Sequence, residues 1–371
     1  MKAYLFNPEN DLALAAGTAN YTPPKNAMLL SLCGSLLPLW YADAGDFVLS
    51  NNANAEWLAY ISDSFGIEVN VTDTLPADVQ CVPWGWSHYA AAKFRSAGVN
   101  DDCLPSKISL DRMKELSHRR ITIDVVKRLK NHGIEVAKEP FEAFTAEEIR
   151  TFVANQPGNV YFKSPWSGAG RGVASSASMS GEEFIRRCEG IIGKQGSVLL
   201  EPEVNKIRDF AMLFRAEKGG VKFVGLSLFR NEGNAYSGNI LLPDSEIFDI
   251  LAGYVGKQSL SNLIETLPCV LSEIIGDAYN GFFGVDMMIF RDENGYHIDV
   301  CTEVNLRMTM GVVSWLWREK FLAPGVKALF SVNYGTTLKD SAIISNGKLL
   351  SGTLNLVPPG QPFCITVETI Q

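Results

Sequence analysis

The sequence predicts a protein of mixed α/β and α+β class, and three observations carry that expectation. Short apolar runs alternate with helical segments over the first hundred residues, the pattern of an α/β layer. Long strand-like runs follow in the second half, at Asp209 to Ala216 and Val221 to Leu228, and again on either side of Asn294-Gly295, the strongest short hairpin signal. Between these regions, Val160 to Lys163 reads as a strand that runs into a loop with glycines at 168, 170 and 172.

The 371 residues, 46% apolar and 20% charged, are enough for two or three domains. A net charge of −8 argues against a nucleic-acid surface, which would show a basic excess. The densest basic run, Ser117-His118-Arg119-Arg120, is short and reads as local. Seven cysteines lie scattered without a C-x-x-C, so they are read as reduced and mostly buried. The amino terminus turns polar after a handful of residues, too soon for the apolar core of a signal peptide. With no run of about 20 apolar residues either, a cytoplasmic location with no membrane partner is expected.

Taken in order, residues 3 to 6 form a strand leading into Asn7-Pro8-Glu9-Asn10-Asp11. That cluster is either a turn in which Asp11 caps a helix over 12–16, or a set of ligand groups at a strand's carboxyl end. Residues 27 to 40 are apolar enough for a buried helix, and strands are expected over 46–50, 68–71 and 79–82, with a helix over 56–65. Trp84-Gly85-Trp86 either walls a pocket or packs between domains, and His88, without a metal partner at a recognisable spacing, is structural. One helix is expected from Ser109 to about His132, stopped by Gly133, followed by a strand over 133–136. Thr145, with Glu147 and Glu148 behind it, starts the next helix. A further helix over 181–192 and a strand over 197–201 complete that unit, and a long helix is expected from Ser259 to about Ala278.

The glycine loop admits two readings. Glycines let backbone amides converge on an anion and Lys163 supplies a point charge, which suits a polyphosphate; a mobile hairpin would look the same. The hairpin around Asn294-Gly295 is more specific. With a two-residue turn there, facing residues have numbers summing to 589, which sets Asp286 opposite Glu303, with Asn305 two residues on along the same face; a longer loop over Asp292 to Gly295 would move the register by two and leave the acids on one face as diagonal neighbours. Like charges opposed across a sheet are destabilising, so the pair calls for a divalent cation. Two carboxylates and an amide oxygen, with room left for phosphate oxygens, suit Mg²⁺ or Mn²⁺.

In this order the signals resemble the ATP-grasp superfamily over roughly residues 105 to 325. The resemblance implies two α+β lobes that clamp ATP, preceded by a small α/β domain, with boundaries at 1–104, 105–200 and 201–371. It implies that Lys163 contacts the nucleotide phosphates and that Gly168, Gly170, Arg171 and Gly172 form the loop that folds over them. Glu201 would accept from the adenine amino group, the backbone near Glu203 and Val204 would read the base edge, and Asp209 would hold the ribose. Asp286, Glu303 and Asn305 would hold Mg²⁺, and Arg307 would hold a reacting phosphate. Where the family carries a first phosphate-binding lysine, Arg119 or Arg120 falls nearest, with Lys107 more distant; Arg120 is taken as the candidate, and Arg230 as a second cation from the other lobe.

The implied activity is an ATP- and Mg²⁺-dependent ligase, forming an acyl phosphate from a small-molecule or peptide carboxylate and passing the acyl group to an amine. A kinase that stops at a phosphorylated product and a nucleotide-binding module without turnover are the alternatives, and a homodimer is compatible with each.

Overall fold

The computed structural model describes residues 1–52, 54–168, 172–232, 235–335 and 339–370. Among them the chain forms three main sheets and a two-stranded ribbon. The first sheet is parallel, with β1 (Lys2–Leu5), β2 (Phe47–Leu49), β3 (Asn70–Thr72) and β4 (Gln80–Pro83) in the order β3-β2-β1-β4. Helices α1 (Asn10–Ala16), α2 (Lys25–Cys33), α3 (Ala55–Phe65) and α4 (His88–Ser96) belong to the same region. Because β2 and β3 lie on one side of β1 and β4 on the other, the carboxyl ends of β1 and β4 flank a topological switch point. The helix expected over 27–40 is shorter: α2 ends at Cys33, its one buried residue, and the buried apolar residues fall in a 3₁₀ turn, Leu37–Trp40. Gly34 lies between them, so close to the Phe6 ring that a Cβ would come within 2.3 Å.

The single helix expected from 109 to 132 is two, α5 (Lys107–Leu116) and α6 (Ile121–Asn131). Nothing in the intervening Ser117–Arg120 breaks a helix by propensity. The chain departs because its polar groups find other partners: the Ser117 hydroxyl donates to the Met113 carbonyl at 2.8 Å, and the Arg119 amide donates to the Pro165 carbonyl at 3.1 Å. No strand follows at 133–136; Ile134 and Val136 pack as irregular chain against the core.

The second sheet is antiparallel, with β5 (Phe141–Ala143), β6 (Val160–Lys163), β7 (Val173–Ser175) and β8 (Val198–Pro202) in the order β5-β8-β6-β7. Val160, Phe162, Val198 and Leu200 pack beneath α7 (Ala146–Ala154) and α8 (Gly181–Gln195). Strand alternation therefore turns Tyr161, Lys163, Leu199 and Glu201 to the opposite face. Thr145 caps α7 as expected, in a full capping box with Glu148.

The third sheet is antiparallel and runs β13-β12-β9-β10-β11-β14-β18-β17. Its strands are β9 (Asn205–Glu217), β10 (Gly220–Glu232), β11 (Ala235–Leu241), β12 (Gly281–Asp292), β13 (Gly295–Asn305), β14 (Lys327–Tyr334), β17 (Thr353–Asn355) and β18 (Phe363–Ile370). The ribbon is β15 (Ile343–Ser345) with β16 (Lys348–Ser351). One face of the large sheet, through Phe210, Met212, Phe214, Val285 and Met287, packs on α6, α9 (Asp244–Val255) and α10 (Lys257–Ile275). The other face, through Ala211 and Leu213, joins a core shared with α11 (Met310–Phe321) and the first sheet. Part of that second face carries polar side chains, and these form the site.

All seven cysteines are unbridged; five are buried, Cys103 is half-buried and Cys269 exposed. Among the described residues no helix is long and apolar enough to cross a membrane.

Candidate functional site

The β12–β13 hairpin sets the acidic face, by a route that differs from the expected one. Asp292 pairs with Gly295, so the turn residues are Glu293 and Asn294, and facing numbers near the tip sum to 587. The Asp292 carboxylate fixes this turn by accepting from the Asn294 amide at 2.8 Å, and Gly295 starts the return strand at φ +130°, where a side chain would be strained. The register then shifts: Met288 faces Asp299, yet Asp286 faces Glu303. Two extra residues in β13, a bulge opposite Met287, restore the pairing that places both acids on one face. Asn305 faces Gly284, and its amide donates to Asp286 Oδ2 at 2.9 Å. Burial, reinforced by Glu303, pushes the Asp286 carboxyl up to about 7.

Three cations from distant segments meet this face. The Arg119 guanidinium donates to both Glu303 carboxylate oxygens at 2.9 Å, and also to the Ser164 carbonyl at 2.7 Å and Ser167 Oγ at 2.6 Å. It thereby joins the hairpin to the root of the glycine loop. Arg307 donates to Asp11 from Nε and Nη2, the shortest contact being 2.7 Å, and from Nη2 to Asn305 Oδ1 at 2.7 Å. Asp11 is thus no helix cap; it ties the switch point of the first sheet to the hairpin. Lys163 Nζ lies 2.7 Å from Glu201 Oε1 and 3.4 Å from the Thr302 carbonyl.

Behind Lys163 lies a charge cluster that sequence reasoning missed. Lys138 Nζ is 2.6 Å from Glu201 Oε2 and 2.5 Å from Asp299 Oδ2, and all three residues are buried. Burial alone would raise the Glu201 carboxyl, but Lys138 and Lys163 outweigh it and hold it well below the usual range. Lys138 sits in Val136-Ala137-Lys138-Glu139-Pro140, where no neighbour marks it as buried, and its partners are 63 and 161 residues away.

The remaining candidates are placed less uniformly. Gly168 lies over Asp11, where a Cβ would come within 3.1 Å of Oδ2; Gly172 has φ +72°, and its carbonyl accepts from the Ser164 amide. Gly170 and Arg171 lie outside the described residues. Asp209 is on the acidic face of the large sheet, opposite Met288, held by Lys206 and Asn231 at 2.8 Å each. The Glu203 carboxylate turns away to Ser175, its amide donates to the Asn159 carbonyl, and the Val204 carbonyl accepts from the Lys206 amide. Arg120 points outward into a hollow lined by Asp124 and Glu273, so Arg119 takes the inward position instead. Arg230 is exposed on β10.

At the switch point, Asn7 is fully buried and exchanges hydrogen bonds with the backbone of Gly85, while Trp84 packs on Phe6 and its carbonyl accepts from the Met308 amide at 2.8 Å. Trp84 thus packs between regions, and His88 pairs with Asp111 at 2.8 Å.

His118, in the break between α5 and α6, is buried edge-on to Trp166, and its Nδ1 accepts from the Arg120 amide at 3.0 Å. Burial and the neighbouring cations lower it from 6.5 to about 4. A depressed histidine contributes stability above its unfolded value that is lost as pH falls through the folded one. Thermal unfolding measured between pH 7 and 4 is expected to show a steeper loss for the parent chain than for His118→Gln.

No family model and no curated protein sequence matches the chain. Solved structures do. Over 100% of its length the chain aligns with biotin carboxylase of Campylobacter jejuni, a β,γ-ATP complex, covering 87% of that chain at a TM-score of 0.52 and 10% identity. The chain has the ATP-grasp fold. It also aligns, over 90% of its length and 82% of the other, with the ADP complex of N5-carboxyaminoimidazole synthetase from Staphylococcus aureus, at a TM-score of 0.48 and 10% identity. For carboxyaminoimidazole ribonucleotide synthase from Aspergillus clavatus, complexed with ATP, the coverage is 89% and 94%, the TM-score 0.48 and the identity 14%. In ATP-grasp terms the second and third sheets with their helices are the two α+β lobes, and the parallel sheet is the smaller α/β layer before them.

Proposed function

We propose that this chain is an ATP- and Mg²⁺-dependent ligase that activates a carboxylate by phosphorylation and joins it to an amine. One observation carries the reading: Lys163, Arg119 and Arg307, from three separate segments, converge with Asp286, Glu303 and Asn305 between the two lobes of an ATP-grasp fold. A polyphosphate needs this mixture of cations and metal-ligating oxygens.

The donor set fits Mg²⁺. Asp286 and Glu303 face each other, Asp286 is half-buried with its carboxyl pushed up to about 7, and a divalent cation would relieve that opposition. Among the described residues no group of three or more His, Cys, Asp or Glu forms a closed metal cage. Two carboxylates and an amide, with the other positions left to phosphate and water, is how Mg²⁺ is usually held. Asn305 Oδ1 already accepts from Arg307 and keeps a second lone pair for the ion. When bound, the ion neutralises charge on the β- and γ-phosphates.

The chain's own groups do the rest. Lys163 and the amides of the glycine loop bind the phosphates, Asp209 faces the ribose, and Glu201 faces the base. Arg119 orients Glu303 and fixes the root of the loop. Arg307, steadied by Asp11, would hold the transferred phosphoryl group as it passes to the acceptor. A substrate carboxylate oxygen attacks the γ-phosphorus and ADP departs; the amine nitrogen then attacks the acyl carbon, phosphate departs and the amine loses a proton. No side-chain nucleophile is needed.

The test is incubation with ATP, Mg²⁺ and pooled carboxylates, with and without amines, following ADP and phosphate. Phosphate release that depends on both acid and amine is expected. A stable phosphorylated product without amine dependence would replace the ligase by a kinase, and nucleotide binding without any ADP would leave only a binding module.

A further inference from the structure

Glu201 is shared between two lysines that are held very differently. Lys138 lies between two carboxylates, Glu201 Oε2 at 2.6 Å and Asp299 Oδ2 at 2.5 Å, with a side chain 5% exposed. Among the described residues Lys163 has one carboxylate partner, Glu201 Oε1 at 2.7 Å, and a long contact of 3.4 Å to a carbonyl; its side chain is 12% exposed. Lys163 is also the last residue of β6, next to the loop that carries the glycines, whereas the Lys138 ammonium is pinned against both β8 and β13. The four charged groups balance to zero, so the cluster is neutral as it stands. A buried carboxylate that loses one charged partner must find another donor.

We propose that Glu201 is one half of a latch that nucleotide opens: Lys138, anchored by Asp299, holds Oε2 throughout, while Lys163 holds Oε1 only in the nucleotide-free chain and exchanges it for phosphate oxygens. The exchange exposes Oε1 as an acceptor for an exocyclic amino group on the base. Lys138 is then a positioning residue, which keeps the carboxylate aimed while its other partner leaves. The consequence is coupling: phosphate is bound well only when a base repairs the gap that Lys163 leaves, so a bare polyphosphate is disfavoured over a nucleotide. This inference rests on the nucleotide site proposed above, and concerns how that site distinguishes a nucleotide from phosphate alone.

The experiment measures Mg²⁺-tripolyphosphate and Mg²⁺-ATP binding by calorimetry to the parent chain and to Glu201→Gln. Without the latch, Lys163 is available at no cost, and tripolyphosphate is expected to bind about tenfold more tightly, the size of one hydrogen bond to a charged group. ATP gains the same freed lysine but loses the acceptor for its base, so its advantage over tripolyphosphate is expected to shrink about tenfold. If a folded Glu201→Gln binds tripolyphosphate no better than the parent, the latch is overturned. A second measurement needs no variant of the cluster: ¹⁵N-lysine NMR of the parent chain, where added Mg²⁺-tripolyphosphate is expected to shift the Lys163 ammonium signal and leave that of Lys138 in place. Movement of both signals, or of neither while ligand is bound, overturns the exchange. Failure of the parent chain to bind either ligand would instead overturn the nucleotide site itself.

Discussion

Asp286→Asn is expected to lower metal-dependent turnover by about 10³-fold while leaving the chain folded, a loss at the upper end of those seen on removing one transition-state-stabilising group. Asp286 is half-buried and faces Glu303, and desolvation together with that neighbour pushes its carboxyl up to about 7. Asparagine keeps the shape and the contact with Asn305 but cannot supply a charged ligand oxygen. It also removes the like-charge opposition, so the metal-free variant should melt no lower than the parent. What it should lose is the rise in Tm that Mg²⁺ gives the parent. Turnover and thermal unfolding with and without Mg²⁺ check both halves. Unchanged turnover would remove the hairpin from the mechanism.

Lys138→Met is expected to have the largest effect on stability, a loss of about 3–5 kcal/mol, because it strands the buried Asp299 carboxylate and leaves Glu201 with Lys163 alone, in place of a matched cluster. Adding Asp299→Asn to this variant removes the stranded charge, so the double variant should lose less than the sum of the singles. Denaturant unfolding gives these values. A loss under about 1 kcal/mol for the single variant would mean that water or a moving side chain already serves the carboxylates, against the burial described.

These two residues also mark where sequence reasoning succeeds and where it stops. Asp286, Glu303 and Asn305 were legible because strand alternation, a turn signal and opposed acids are all local to one hairpin. Even so, the expected turn lay one residue late, and the acids face each other only because a bulge in β13 compensates. Lys163 and Glu201 were legible through their order along the chain, and the alternation of β6 and β8 turns both to one face. Lys138 was not, since its burial follows from two strands formed by later segments. Nor was the break between α5 and α6, because its cause is a hydrogen bond from Arg119 to Pro165, 46 residues on, and not a glycine or proline in the break. That break decides which of two adjacent arginines enters the site. Asp11 was legible as a polar residue at a strand end, but its partner Arg307 lies 296 residues away.

The bulge in β13 also divides the hairpin into two registers. From Met288 outward, the tip keeps its own register, closed by the Asp292 turn; from Asp286 inward, the base keeps another, closed by Asn305 and Arg307. The offset of two residues is taken up between Met288 and Asp286, so the register at the tip does not by itself set the pairing of the acids. Residues 293 and 294 are therefore the natural attachment point for a reporter group on this lobe, one that would ride on the hairpin without disturbing the chemistry at its foot.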